Sequence, residues 1–351
     1  MDFPLLANRP ALMAPGTSHE ERSRAREIVS IYGNTPVARF TLFDDKSYFF
    51  STGGSMVAYI LEGKTVITLG DPIGPDFDFS RCLTEFREFC SRNGWTSVFY
   101  QVLPNNLKGY YSAGLDSLCI GQDGIVDLSA FTVEGKESKN IRNSFNKMTR
   151  LGYSFHLCEP PHPSFLLNEI NSISEKWLSS RGGYEIGFSI GWLDKEYLNT
   201  CPIFLVRNPN GFAEAFANTI FEIHSNEAII DLMRYRPGSK NGEMDFLFTS
   251  VLLWAKDRGI ASFNLGFSPF AGIGEDPRSP LIERALHFVL EHTNHFPNFK
   301  GLQFFKEKFN PTWSPRYLVY PGLRNLPNVV MSIMRAYKIK RLIGRSFFRG
   351  K

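Results

Sequence analysis

In Asp231-Leu232-Met233-Arg234 a carboxylate and a guanidinium stand three residues apart at the end of a mostly apolar run. That run, Asn226 to Arg234, has the length and composition of a strand, and α/β folds usually place their sites at strand ends. Period-two alternation puts Asp231 and Met233 on one face and Arg234 on the other unless the strand twists or bulges. A second stretch, Arg236-Pro237-Gly238-Ser239-Lys240-Asn241-Gly242, is a basic, glycine-containing loop leading into a helix that starts near Met244. Exposed N–H groups at a helix start favour an anion. The third is Gly301-Leu302-Gln303-Phe304-Phe305-Lys306-Glu307-Lys308-Phe309, with Trp313, Arg316 and Tyr317 shortly after. Aromatics interleaved with lysines serve either as phosphate contacts with stacking surfaces or as core residues beside a charged rim.

Other chemistries find no pattern. There is no GxSxG, no P-loop, no GxGxxG after a strand and no Cys/His pair at a known spacing, which removes most weight from serine hydrolase, kinase and dehydrogenase readings. Five cysteines (Cys82, Cys90, Cys119, Cys158, Cys201) without CxxC spacing argue against a disulfide framework and a structural zinc site. His287, His292 and His295 lack the HExxH pattern, and no metal is expected. The longest apolar segment, Phe246 to Ala255, falls far short of the roughly 20 residues a spanning helix needs. Met1 to Thr17 has no basic region ahead of an apolar core, so no secretory signal is expected and the cytoplasm is the expected site of action.

The elements that must position these residues repeat. Glu20 to Ile31 reads as a helix, and Ala38 to Leu42, Ser47 to Ser51, Met56 to Leu61 and Thr65 to Leu69 as short strands; a helix over Phe79 to Arg92 stops at Asn93-Gly94 before the strand Trp95 to Val102. In the second half Asn226 to Arg234 (strand), Asp245 to Asp257 (helix), Gly259 (stop) and Ala261 to Leu265 (strand) form the same unit. The similarity of SRNGWTSVFYQV to KDRGIASFNLGF is weak, yet the recurrence predicts two copies of one α/β domain with a boundary near residue 130.

Charge is distributed unevenly. Of 39 Lys and Arg, ten fall within residues 308–351, which hold no Asp or Glu; the remaining 29 face 35 acidic residues, a net of −6 on the body of a chain whose total is +4. A basic end on an acidic body suggests a polyanionic partner, membrane or nucleic acid, against the plainer reading of a solvated tail. Between the halves, Lys139, Arg142, Lys147 and Arg150 fall on one side of a helical wheel and Ile141, Phe145 and Met148 on the other, a basic amphipathic helix able to pair with phosphates. Arg335, Lys338, Arg341, Arg345 and Arg349 recur at spacings of three and four among apolar residues, the pattern of a helix lying on anionic lipid, where each adds on the order of 1 kcal/mol.

The chain resembles the C-terminal catalytic region of bacterial aminoacyl-phosphatidylglycerol synthases, the lysyl- and alanyl-phosphatidylglycerol synthases. The likeness runs from Asp44-Asp45-Lys46-Ser47-Tyr48 and Leu69-Gly70-Asp71-Pro72 through Gly187-Phe188-Ser189-Ile190-Gly191-Trp192 and Asp231-Leu232-Met233-Arg234. It continues through Asn241-Gly242-Glu243-Met244-Asp245-Phe246-Leu247-Phe248, Phe263-Asn264-Leu265-Gly266, Asn298-Phe299-Lys300-Gly301-Leu302 and Phe305-Lys306-Glu307-Lys308-Phe309 to Pro315-Arg316-Tyr317-Leu318. The resemblance implies an α/β (α+β) fold of two tandem GNAT-type acyltransferase domains joined by a positively charged helix, a tunnel between two substrate sides, and no bound cofactor. Read onto this chain, that is residues 1–130 for the first domain, 131–152 for the linker helix, 153–322 for the catalytic domain and 323–351 for a basic C-terminal helix.

The activity implied is transfer of an aminoacyl group, lysyl on family frequency, from aminoacyl-tRNA to a phosphatidylglycerol hydroxyl. Asp231 would orient the amino acid's ammonium or accept the hydroxyl proton, and Arg234 and Lys306 would hold phosphate or stabilise the oxyanion. Replacing Asp231 or Arg234 by Ala is expected to abolish transfer and leave the fold intact. Lys308, Arg316, Tyr317 and Arg236 would contact the tRNA end or lipid phosphate, with Asp245 beside them or serving only the helix start. Lys139, Arg142, Lys147 and Arg150 would bind tRNA phosphates, and Arg335, Lys338, Arg341 and Arg345 the membrane. Family members carry a membrane-embedded N-terminal region that flips the product lipid; without it, this chain is expected to be an excised domain or a peripheral enzyme of the inner membrane's cytoplasmic face. An acyl-CoA-dependent N-acyltransferase is an alternative, but the Arg236 to Gly242 loop lacks the glycine pattern that cradles a pyrophosphate. A non-catalytic lipid- or tRNA-docking module is another.

Overall fold

Ser18 opens the first helix with a reciprocal cap: its hydroxyl accepts from the Glu21 N–H at 3.1 Å while the Glu21 carboxylate accepts from the Ser18 N–H at 2.7 Å. The computed structural model describes residues 17–181, 185, 187–222, 224–238, 242–275, 279–292 and 297–337. The first half runs α1 (His19–Tyr32), α2 (Val37–Phe40), β1 (Ser47–Phe50), β2 (Met56–Glu62), β3 (Thr65–Leu69), α3 (Phe79–Arg92), β4 (Thr96–Val102), α4 (Leu107–Ser112) and β5 (Asp116–Asp127). Helix α5 (Lys139–Arg150) follows. Then come β6 (Ser154–Cys158), α6 (Ser164–Ser179), α7 (Lys195–Leu198), β7 (Ile203–Arg207), β8 (Ala213–Glu222), β9 (Glu227–Tyr235), α8 (Glu243–Asp257), β10 (Ser262–Pro269), α9 (Leu281–His292), α10 (Pro297–Glu307), β11 (Thr312–Tyr320) and α11 (Leu326–Tyr337).

One expected element changes type. Ala38 to Leu42 reads as a strand in the sequence and is the short helix α2 with a following turn in the fold. Pro36, at φ −57° with αR geometry, starts the turn, and four apolar-leaning residues carry too little periodicity to separate a strand from a helical turn.

The described strands form one sheet in the order β1-β2-β3-β4-β11-β5-β10-β9-β8-β7-β6. Each half runs an antiparallel meander into a helix and then into a strand parallel to the meander's last: β3 to β4 across α3, and β9 to β10 across α8. The final strands are exchanged. β11 lies between β4 and β5, while β5 lies between β10 and β11, and the exchanged pair is antiparallel from Thr312↔Ile125 to Tyr320↔Asp116. Apart from the additional β6, the order reads alike from either end. The likeness reaches the backbone: Gln101 and Gly266 occupy the same place in the two similar segments, and both have positive φ, 64° and 84°.

Helices cover both faces. In the second half α8 packs on one face with α5 against it, Phe145 stacking on Phe246 at 5.0 Å, and α6 packs on the other. In the first half α3 covers one face, and α2 and α11 the other, where Ser332 of α11 donates to Thr65 at 3.1 Å. Burial of Ile141 and Met148 turns the basic side of α5 outward.

Candidate active site

Strand β9 carries one residue more than β8 near its end. Ala217 pairs with Met233 and Thr219 with Ile230, so Asp231 and Leu232 together face Asn218. This bulge resolves the alternation problem: Leu232 and Arg234 point to the α6 side, and Asp231 joins them beneath the segment leading into α7. There one Asp231 oxygen accepts from the Gly191 N–H at 2.8 Å and the other from the Tyr197 hydroxyl. Asn218 donates to the Tyr197 hydroxyl at 2.9 Å and accepts from the Leu232 N–H at 2.9 Å, tying the bulge to its own strand neighbour. Burial holds the Asp231 carboxyl above the ordinary carboxylate range, opposed by the hydrogen bonds of Tyr197 and Gly191. A Cβ on Gly191 would overlap an Asp231 oxygen, so the close approach needs glycine.

Arg234 is fully engaged. Its guanidinium forms a two-pronged ion pair with Glu185, donates to Ser174 and lies 5.3 Å over the Trp177 ring. Glu185 also accepts from the Leu193 N–H at 3.1 Å. Asp231 and Arg234 therefore share a face, but the guanidinium serves the segment that covers Asp231. The expectation that Arg234→Ala leaves the fold intact is corrected accordingly, because that change strands a buried carboxylate.

Lys306 reaches from α10 to β10. Its Nζ donates to the carbonyls of Gly266 at 2.7 Å and Phe267 at 3.1 Å, where β10 leaves β9 after only three paired residues. Almost complete burial lowers its pKa to about 7, against the field of Asp123. Asp123 itself accepts from Arg316 at 2.7 Å and from Asn264 at 3.1 Å, and Asn264 donates onward to Glu227 at 3.2 Å. This buried network sits on the exchanged strands, where the two halves meet.

Arg316 also faces a cavity in the first half. The cavity holds about 820 Å³ including its open mouth and is lined by Gly70, Asp71, Gln101 and Asn106, among others. Burial raises the Asp71 carboxyl to about 6, although Leu103 N–H and the Tyr110 hydroxyl each donate to it at 3.0 Å. The candidates thus divide, with Asp231, Arg234 and Lys306 around the end of β9 and Arg316 toward the first-half cavity.

The remaining candidates scatter. Lys308 pairs with Asp245 at 2.9 Å, which gives that carboxylate a partner as well as a place in the first turn of α8. Arg236 donates to the Ala213 carbonyl at 2.8 Å, and Tyr317 packs into the first-half core beside α3. On α5, Lys139, Lys147 and Arg150 are exposed, while Arg142 donates to the carbonyls of Val133 at 2.8 Å and Gly135 at 2.7 Å. Arg335 is exposed on α11; Lys338, Arg341, Arg345, Ser239, Lys240 and Asn241 lie outside the described residues. The five cysteines are free thiols, and among the described residues no group of three or more His, Cys, Asp or Glu is arranged for a metal ion.

Glu185, Tyr197, Asn218 and Asp123 escape a reading of the sequence. None stands in a recognisable spacing with Asp231 or Lys306; only the Gly187 to Trp192 motif hints that the segment around Glu185 and Tyr197 matters.

Residues 26–320 match the family model described as "Phosphatidylglycerol lysyltransferase, C-terminal". The phosphatidylglycerol lysyltransferase of Bacillus subtilis is 36% identical over 317 residues, covering 90% of this chain and 36% of the relative; the chain thus spans little more than a third of that relative's length. Two solved structures align over 93% of the chain at 31% identity: the C-terminal domain of a candidate lysylphosphatidylglycerol synthetase from Agrobacterium fabrum (TM-score 0.80, 99% of that chain) and L-PGS from Bacillus licheniformis (TM-score 0.78, 97%).

Proposed function

We propose, from the premise that this chain belongs to the phosphatidylglycerol lysyltransferase C-terminal family, that it transfers a lysyl group from Lys-tRNA to a glycerol hydroxyl of phosphatidylglycerol. The product, lysyl-phosphatidylglycerol, lowers the negative charge of the membrane. The observation that carries this reading within the fold is the carboxylate of Asp231, held by the Gly191 N–H and the Tyr197 hydroxyl at the bulge of β9, together with the Lys306 ammonium bound to the Gly266 and Phe267 carbonyls where β10 leaves that strand. The aminoacyl ester is already activated, so the lipid hydroxyl oxygen bonds to the ester carbonyl carbon, the bond to the tRNA ribose oxygen breaks, and the hydroxyl proton ends on that oxygen.

In this reading Asp231 keeps its remaining lone pairs for the lysyl ammonium. Lys306, poised near neutrality, accepts the hydroxyl proton and returns it to the leaving oxygen. Arg234 acts through Glu185 on the covering segment. The exchanged, near-symmetric strand order supports two tandem GNAT-type units, 1–130 and 153–322, joined by the basic helix within 131–152. Lys139, Lys147 and Arg150 take tRNA phosphates. Leu323, Val330, Met331 and Met334 are exposed on or beside α11 next to Arg324 and Arg335, which suits peripheral contact with an anionic bilayer at the cytoplasmic face. No described helix is long and apolar enough to cross a membrane.

The test is transfer of radiolabelled lysine from Lys-tRNA to phosphatidylglycerol vesicles, read as solvent-extractable label, with Ala-tRNA as a parallel donor. Label that stays aqueous with both donors, or activity that requires acyl-CoA, ends the proposal.

A further inference from the structure

The segment that covers Asp231 has little regular structure of its own, so something else must hold it. Between α6 and α7, Glu185 pairs with Arg234, the Gly191 N–H binds Asp231 and Leu193 N–H binds Glu185, and from α7 the Tyr197 hydroxyl binds Asp231. Its outer side rests on the other half of the molecule. Phe43 lies 4.9 Å from both the Trp192 and Tyr197 rings, and Phe188 packs 5.8 Å from Tyr100, 6.0 Å from Tyr337 and 5.1 Å from the buried Lys46 ammonium. Phe188 has φ 72°, a left-handed conformation that a bulky residue keeps only where its surroundings overdetermine it. One polar tie fixes it further: Ser189 Oγ and the Tyr337 hydroxyl are 2.7 Å apart, and the Tyr337 hydroxyl donates to the Tyr100 hydroxyl at 2.7 Å. With one proton per hydroxyl, Ser189 is the donor to Tyr337.

We propose that Tyr337, at the end of α11, is a positioning residue for the transfer reaction: through Ser189 it holds the 187–193 segment so that the Gly191 N–H stays on Asp231. Tyr337 touches no reacting atom. It connects the helix on the first half to the carboxylate of the second, so the seat of α11 on β2 and β3 becomes a requirement for the Asp231 site. The inference rests on the lysyl-transfer reading for its kinetic arm and is independent of it for its structural arm.

Tyr337→Phe and Ser189→Ala each remove the tie and keep the packing. Each is expected to lower kcat about tenfold with KM for both substrates changed less than about twofold, and the double variant is expected to lose no more than either single one. Tyr100→Phe leaves the Ser189–Tyr337 pair in place and is expected to stay within about twofold of the parent. Hydrogen exchange on the same proteins gives a readout free of catalysis: the Gly191 amide should lose protection in Tyr337→Phe and Ser189→Ala, and keep it in Tyr100→Phe, while thermal midpoints stay together. Unchanged Gly191 protection in the first two variants, or fully additive kinetic losses in the double variant, overturns the proposal. Absence of transfer by the parent protein would instead remove the lysyl-transfer reading and leave the exchange experiment to decide this one.

Discussion

At the scale of single residues, Asp231 and Lys306 make separable predictions. Asp231→Asn keeps the size of the side chain and removes the charge, so lysyl transfer should fall by about 10²-fold or more with KM for lipid unchanged; transfer at the parent rate would take Asp231 out of the site. For Lys306 the folded pKa of about 7 lies below the ordinary 10.5. The unfolded chain therefore binds more protons between those values, and this group makes the fold more stable as pH rises from about 7 toward 10.5. Lys306→Met should flatten that part of the stability profile. The same titration predicts a transfer rate that rises through about pH 7 in the parent, whereas Lys306→Arg, with a guanidinium that stays protonated, should be inactive across the range. A parent rate that does not change with pH across neutrality would argue against Lys306 as the proton acceptor.

At the scale of elements, the bulge in β9 and the segment over it act together. Gly191→Ala places a methyl where Asp231 and Tyr197 already stand, overlapping atoms of both, so the hydrogen bonds that hold Asp231 must shift. Transfer should be lost while far-UV circular dichroism is retained. Arg234→Ala is a different experiment, because it leaves the nearly inaccessible Glu185 carboxylate unpaired. A destabilisation of about 3–5 kcal/mol is expected, measurable by urea unfolding, and Arg234→Ala with Glu185→Ala together should recover part of it. A single variant as stable as the parent would leave Arg234 free to meet substrate.

At the scale of the whole molecule, the exchanged strands make each half depend on the other. Arg316 and Asp123 sit on these strands, both almost fully buried, so Arg316→Ala should cost about 3–5 kcal/mol and lower one cooperative transition instead of splitting it in two. On the basic side of α5, Lys139, Lys147 and Arg150 are exposed. Replacing Lys139, Lys147 and Arg150 by Gln should weaken tRNA binding and flatten its dependence on salt, since a phosphate that no cation neutralises keeps its counterion when the complex forms. Equal salt slopes for parent and triple variant would place the tRNA elsewhere.

The strand-helix-strand units, the amphipathic α5 and the general location of Asp231 and Lys306 are legible along the chain, because each is written in local periodicity, glycine stops or a short motif. The weak likeness of SRNGWTSVFYQV to KDRGIASFNLGF is matched in the fold by left-handed positions at Gln101 and Gly266, which the glutamine does not announce. What tertiary structure decided was pairing. A bulge set by Asn218 turned Asp231 and Arg234 to one face, Glu185 claimed Arg234, and the exchange of β5 with β11 carried Arg316 to the first-half cavity. These outcomes depend on contacts between residues tens to hundreds of positions apart. A sequence specifies the chemistry of such groups; only the closed fold selects which of them meet, through the geometry of burial and the cost of leaving a charge without a partner.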